Sequence, residues 1–225
     1  MVAYPSVAPN SDDTRRDLVV AAERLFAARG ITGVSLREVN AAAGQRNSSA
    51  LQYHFGNRQG LLDAVLAKHG PGIDAARHRA LDAYERDGVR DLRALAGALV
   101  RPSAEKLADV DGGRSYLRIR AEIVNWHELP AKLVDLPEPR DSVYRWRQLV
   151  GPLLPEVALR RLHPRFTAIR VSAAELARRA AGAPRRDDLV FTSHLVDLVT
   201  ALLAAPVSAE TTRLLERRAA RPAAR

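Results

Sequence analysis

The densest run of chemistry-bearing side chains in this sequence is Gln45-Arg46-Asn47-Ser48-Ser49, followed one helical turn later by Gln52-Tyr53-His54. Arg and Gln carry flat, paired groups that match guanine and adenine edges, and Ser, Asn and Tyr bond readily to phosphate oxygens. Any one of these residue types is also an ordinary helix cap or rim group, so the signal lies in their concentration. Thr32 and Arg37 upstream, and Arg58 downstream, add groups suited to the phosphates on either side. The chemistry on offer is recognition of a polyanion and its base edges.

Such residues need rigid elements to present them. Ser35-Leu36-Arg37-Glu38 reads as a capping box, with Val34 and Val39 in the two places of a hydrophobic staple, so a helix should start there. It should end near Ala43, because Gly44 can take the left-handed conformation that stops a helix. Asn47 then reads as the N-cap of a second short helix, with Ala50, Leu51 and Phe55 as its packing face and Gly56 as its end. Two short helices across a Gly-containing turn make a helix-turn-helix. Ahead of it, Ser11 to Thr14 offer caps, and Leu18, Ala22, Leu25 and Phe26 share one face of a scaffold helix closed by Gly30. Behind it, Asn57 caps a fourth helix through Leu61, Leu62, Val65 and Leu66, expected to stop or kink near Gly70-Pro71-Gly72.

The rest of the chain is helical in pattern, with no strand-like alternation and no repeat. Segments run from Ile73 to about Asp87 and from Asp91 to Leu107, the latter kinked or broken at Pro102, and a third follows Gly112-Gly113 through Trp126. Pro130, Pro137 and Pro139 mark residues 129–140 as a loop. Helix is expected again from Asp141 to Leu149, from Glu156 to about Ala181 with Pro164 as a disturbance, from Asp187 to Ala204, and briefly from Ser208 to Arg217.

With 35 Lys+Arg against 26 Asp+Glu the net charge is +9, carried almost wholly by Arg, which suits bidentate anion partners. The 47% apolar content excludes a disordered chain, and the absence of Cys excludes disulfides and thiolate chemistry. The N-terminus has no secretory pattern and no apolar run approaches a membrane span, so the expected setting is the cytoplasm, with no membrane partner.

Residues from about Thr14 to Leu66 resemble the N-terminal domain of the TetR (tetracycline-repressor-like, TetR/AcrR) transcriptional regulators. The likeness is carried by Ala21-Ala22-Glu23-Arg24-Leu25-Phe26, Gly30, Val34-Ser35-Leu36-Arg37-Glu38-Val39, Ala43-Gly44, Leu51-Gln52-Tyr53-His54-Phe55 and Arg58-Gln59-Gly60-Leu61-Leu62. Two departures stand in the turn and helix: Gln45-Arg46-Asn47 replaces a Val-Ser-like pair and makes the turn one residue longer, and Gln52 takes a place usually held by Tyr. The resemblance implies an all-α fold in which three N-terminal helices with a helix-turn-helix bind DNA. A larger helical domain would then bind a small-molecule effector, and the last two long helices would form a four-helix dimer interface.

The implied division is a flexible arm over 1–10, a DNA-binding domain over 11–56, a ligand-binding and dimerisation domain over 57–217, and a basic tail over 218–225. Expected partners are double-stranded DNA, a small-molecule effector and a second copy of the chain. DNA contacts would come from Thr32, Arg37, Gln45, Arg46, Asn47, Ser48, Ser49, Gln52, Tyr53, His54 and Arg58. Aromatics with polar tips nominate Tyr116, Trp126, His127, Tyr144, Trp146 and Phe166 for the effector pocket. The apolar helix after Pro184 nominates Leu189, Phe191, Leu195, Leu198, Val199 and Leu202 for the two-fold interface. Asp74 and His78, at i and i+4, read as an ion pair rather than a metal site, and the Arg pairs at 160/161, 178/179 and 185/186 as solvated faces. No catalytic motif, cofactor fingerprint or metal signature is present, so neither an enzyme nor a cofactor protein is expected. The competing readings are a basic architectural DNA-binding protein and a helical enzyme acting on a small molecule.

Overall fold

In the computed structural model, α1 (Ser11–Arg29) buries Leu18, Ala22 and Phe26 on one face, as their spacing requires. The model describes residues 11–45, 49–88, 91–125, 141–155 and 163–219, and among these it contains ten α-helices and no strand. The expectations for residues 1–10, 126–140, 156–162 and 220–225 fall outside the described residues.

α2 (Leu36–Ala42) starts on the capping box: the Ser35 hydroxyl accepts from the Glu38 amide at 3.2 Å, and the Glu38 carboxylate accepts from the Ser35 amide at 2.8 Å. Val34 and Val39, the staple pair, are fully buried. α3 (Ala50–Phe55) begins with Ser49 at its N-cap, two residues later than an Asn47 cap would place it. Its apolar content explains the late start, because the helix holds together only from Ala50, where Leu51 reaches the core.

α4 (Arg58–Asp87) is one helix of 30 residues with Pro71 inside it, where the sequence predicts a stop or kink. A proline removes one amide and frees the carbonyl four residues back. Here Ala67, Pro71 and Gly72 are all exposed, so water can serve the freed carbonyl, while Val65, His69 and Ile73 anchor the buried face on both sides. Pro102 is likewise contained in α5 (Leu92–Ala104), which passes into a 3-10 turn at Glu105–Leu107. α6 spans Gly113–Asn125 and α7 spans Ser142–Val150. Pro164 opens α8 (Pro164–Ala180) at its first turn, where a missing amide costs nothing, instead of disturbing a longer helix. α9 (Asp188–Leu203) and α10 (Ala209–Ala219) complete the order.

Two apolar cores result. One gathers Leu18, Phe26, Ile31, Val34, Val39 and Leu51 with Leu61, Leu62 and Val65 of α4 and Ile119 and Ile123 of α6. A boundary at residue 56 would therefore cut this core, since α4 and α6 supply part of it. The other gathers Ile73 and Leu81 with α5, Leu117, Trp146, Leu176 and the inner face of α9. Arg114 of α6 ties the second unit at its edge by donating to the Arg179 carbonyl (2.7 Å) at the end of α8 and to the Leu107 carbonyl (2.9 Å). No helix among the described residues is long and apolar enough to cross a membrane.

Candidate functional site

The outward side of the helix-turn-helix is set by what α3 must bury. Leu51 is sunk in the core and Ala50, His54 and Phe55 are half-buried, which leaves Ser49, Gln52 and Tyr53 facing out at helical spacing. Tyr53 is 82% exposed, an unusual cost for an aromatic ring with no partner-facing role. Thr32 and Arg37 are exposed at the entry to α2. Gly44 adopts φ +68°, the left-handed turn between the two helices, and the Gln45 side chain donates back to the Ala43 carbonyl at 3.2 Å. Arg46, Asn47 and Ser48 lie outside the described residues.

Arg58 has a duty the sequence did not reveal. Its Nη1 donates to the carbonyls of Ile31 and Val34, both at 2.6 Å, so it staples the α1–α2 turn onto α4. Arg15, which no sequence signal singles out, lies over the Phe55 ring at 5.3 Å and joins α1 to α3. Arg29 bonds Glu38 at 2.6 Å, and the Glu38 carboxyl is held down to about pH 2 by its Ser35 hydrogen bonds first and by Arg29 second. The described part of the presented surface is thus carried by helices packed on a shared core.

Two polar connections fix this head to the rest of the chain. Both oxygens of Glu122, on α6, accept from the backbone amide of Ile31, at 3.0 and 3.1 Å. Deeper, buried Glu23 of α1 meets His69 of α4 at 2.5 Å and Lys68 at 2.9 Å. Lys68 also bonds Asp111 at 2.8 Å; burial works against its charge, but the Asp111 and Glu23 bonds outweigh it and raise its pKa. Gly112, at φ +85°, passes so close that a Cβ there would lie 2.0 Å from a Glu23 oxygen. The His69 ring in turn lies 4.9 Å from that of Tyr116.

Tyr116 lines a cavity of about 50 Å³ between α4, α5, α6, α7 and α8. Of the four described residues among those nominated for an effector pocket, Tyr116 is on its wall and Tyr144, Trp146 and Phe166 are not. Trp146 is completely buried and donates its indole N–H to the Leu95 carbonyl at 2.7 Å, a core role that corrects its nomination. Phe166 lies beneath the guanidiniums of Arg147 and Arg165, at 5.0 and 4.9 Å, and Tyr144 lies 6.0 Å from Arg147. Trp126 and His127 lie outside the described residues. The wall instead includes Arg77, Ser103 and Arg120. Arg77 could have been found: Leu61, Val65, His69, Ile73, Arg77 and Leu81 repeat every four residues along the buried stripe of α4, and a charge on such a stripe is an interior charge.

Asp74 and His78 both face α7. Asp74 accepts from the hydroxyl and amide of Ser142, and His78 meets Arg145 at 3.3 Å, so both join α4 to α7. Among the described residues no three His, Cys, Asp or Glu side chains group as a metal site. Arg179, read from sequence as solvated, is instead nearly buried, clamped by Asp187 and Asp188 and set 5.0 Å from the Phe191 ring. On α9, Leu195 and Val199 are buried within the chain's own core, which corrects their nomination for an interface. Leu189, Val190 and Leu198 face outward, Leu189 with 85% of its surface free.

The chain is similar to a known family in sequence and to known proteins in fold. Residues 18–65 match the family described as bacterial regulatory proteins, tetR family, a span that contains all of α2 and α3. No curated protein matches the chain in sequence. A crystal structure of an alanine-substituted mutant of HlyIIR is 14% identical and covers 89% of this chain and 100% of its own, with a TM-score of 0.53, so the overall fold is shared. A protein from Mesorhizobium loti MAFF303099, described as a TetR-family transcriptional regulator, is 16% identical over 88% of this chain and 98% of its own, with a TM-score of 0.39.

Proposed function

We propose that this chain, whose N-terminal domain over residues 18–65 is a tetR-family domain, is a homodimeric, ligand-responsive repressor that reads a palindromic operator in the cytoplasm. The observation that carries the reading is the outward face of Gln52 and Tyr53 on a helix-turn-helix whose core is completed by α6, a helix that also lines the interior cavity. Gln52 and Tyr53, with Gln45, Arg46, Asn47, Ser48 and Ser49, contact bases and nearby phosphates in the major groove. Thr32, Arg37 and His54 hold the flanking backbone. Arg58 acts through the turn it staples.

The body over 57–217 senses and dimerises. Two copies join through the outward face of α9, where Leu189, Val190 and Leu198 leave an apolar strip that water penalises, with half-buried Phe191 and Leu202 at its margin. An effector in the cavity touches Tyr116, which rests on His69 and through it on Glu23 of the head; α6 carries the same information to Ile31 through Glu122. Only a difference in effector affinity between two head arrangements can release DNA.

Band-shift titration against the DNA flanking the chain's own gene tests this. Specific binding at physiological salt, at least about 10³-fold tighter than to random DNA, supports it. Equal affinity for random DNA makes the protein an architectural one, and turnover of any bound small molecule makes it an enzyme; either result overturns the reading.

A further inference from the structure

The cavity of the body contains a charge that the fold answers only at a distance. Arg77 stands on the buried stripe of α4 with 5% of its surface exposed. Its Nη1 donates to the Ser142 hydroxyl at 2.8 Å, and its Nη2 reaches the Ser103 hydroxyl at 3.3 Å and the Leu99 carbonyl at 3.5 Å, all neutral acceptors. Its Nε is buried with no hydrogen-bond partner among the described residues. The one carboxylate within 4 Å of its guanidinium among these residues, Asp74 at 3.9 Å, is half-exposed and already occupied by Ser142. Burial, and then the like charge of Arg120, push the Arg77 pKa down to about 10, so it remains a cation in neutral solution.

An interior cation left this way is costly, and proteins normally pair such groups. Arg120 lines the same cavity, so two guanidiniums border one small volume. The remaining wall is apolar, formed by Leu99, Leu117, Val124, Val143, Ile169 and Leu176. Ser172, also on the wall, donates its hydroxyl to the Ala168 carbonyl at 2.6 Å and offers little to a ligand. A space of about 50 Å³ admits several atoms but no large group.

We infer that this cavity is a binding site for a small organic carboxylate, whose head meets Arg77 and Arg120 and whose short apolar body lies against the α6 and α8 side chains. This rests on the reading of the body as effector-sensing, and gives the effector a chemical class. A planar carboxylate suits guanidinium donors, and it supplies a closer counter-charge than Asp74, which stays 3.9 Å away. A neutral isostere leaves both cations unanswered, and a cation adds a third like charge.

The test uses the full-length protein and matched probes small enough for the cavity: acetate, acetamide and ethylamine, and propionate, propionamide and propylamine, followed by thermal shift and calorimetry, with inorganic phosphate as a further probe. At least one carboxylate should bind about tenfold or more tighter than its amide, the scale of one charge-assisted hydrogen bond. Arg77→Met should remain folded, with an unchanged or higher melting temperature, and should erase the preference for carboxylate over amide. Arg120→Gln, at a half-exposed position, should narrow the preference without affecting the fold, and decides the matter if Arg77→Met does not fold. Binding of amide or amine as tight as carboxylate, preference for phosphate, failure of both carboxylates to bind, or an unchanged preference in folded variants would each overturn the inference. Band shifts separate the two claims: a carboxylate that binds through Arg77 without changing DNA affinity sinks the sensing role and leaves the anion site, whereas DNA release by a neutral amide does the reverse.

Discussion

Removing the Glu122 carboxylate should loosen the head from the body by an amount the structure allows one to work out. Both oxygens of Glu122 lie near the Ile31 amide, at 3.0 and 3.1 Å, but one N–H donates only once, so the contact counts as a single charge-assisted hydrogen bond. Ile31 is 2% exposed, so water cannot replace the lost acceptor without opening the turn. An unsatisfied buried donor costs roughly 1–3 kcal/mol, and Glu122→Ala should therefore destabilise the protein by about 2 kcal/mol. For a chain of this size that is a fall of about 4–8 °C in the melting temperature. Glu122→Gln keeps a carbonyl acceptor and should lose about half as much. Denaturant unfolding gives the free energy, and amide exchange locates it: the Ile31 amide should lose protection first, ahead of amides in α8 and α9. A loss below about 0.5 kcal/mol, or a uniform loss of protection across both cores, would refute the idea that this bond carries the connection.

Other perturbations separate roles that the sequence alone merges. Gln52→Ala or Tyr53→Ala should weaken operator binding by about 5–150-fold with no change in melting temperature, whereas Arg58→Ala should lower stability by about 1.5–3 kcal/mol because it frees the Ile31 and Val34 carbonyls; band shifts and thermal melts on the same preparations check both. The carboxyl of Glu38 has its pKa depressed, so its contribution to the start of α2 is complete above the ordinary value of 4.5 and disappears as pH falls toward about 2. An NMR titration of Glu38 with a midpoint near 4.5 would contradict the capping-box geometry. Leu189→Glu and Leu198→Glu should each give a folded monomer in sedimentation, while Leu195→Ala, which opens a cavity in the protomer core, should cost about 2–5 kcal/mol. Gly112→Ala combines a φ of +85° with a Cβ 2.0 Å from Glu23, and should lower the melting temperature and disrupt the Glu23–His69 contact seen by the His69 ring protons.

The elements that were legible in the sequence are those governed by local chemistry. Ser35 and Glu38 lie three residues apart and make their bonds within one turn, Gly44 needs only its own backbone, and Asn57 caps α4 by accepting from the Gly60 amide. Pro71 misled because its cost depends on where its neighbours face: on the exposed side of α4 the freed carbonyl is open to water. The effector pocket misled for a related reason, since a ring as large as Trp146 fills a core as readily as it lines a cleft, and only its indole bond to Leu95 settles which. The division of α9 between an inner face with Leu195 and Val199 and an outer face with Leu189 and Leu198 is set by α8 just before it and by α5, which is distant in sequence. Arg77 was present in the four-residue rhythm of α4, where it and His69 are the two polar residues of an otherwise apolar row.

The continuity of α4 has a mechanical consequence. A helix of 30 residues is a rod about 45 Å long, and its first half is embedded in one core while its second half is embedded in the other. A rod so held acts as a lever: with Pro71 near its middle each arm is about 20 Å long, and a tilt of about 5° displaces the end of an arm by about 2 Å, more than half of the ~3.4 Å rise between stacked base pairs. The missing hydrogen bond at Pro71 lies near the middle of the rod and softens it at one point, so the lever has a fulcrum written into its sequence. If the chain is the ligand-responsive regulator proposed above, a change in the cavity too small to disturb either core would be enough to shift its reading face against the groove.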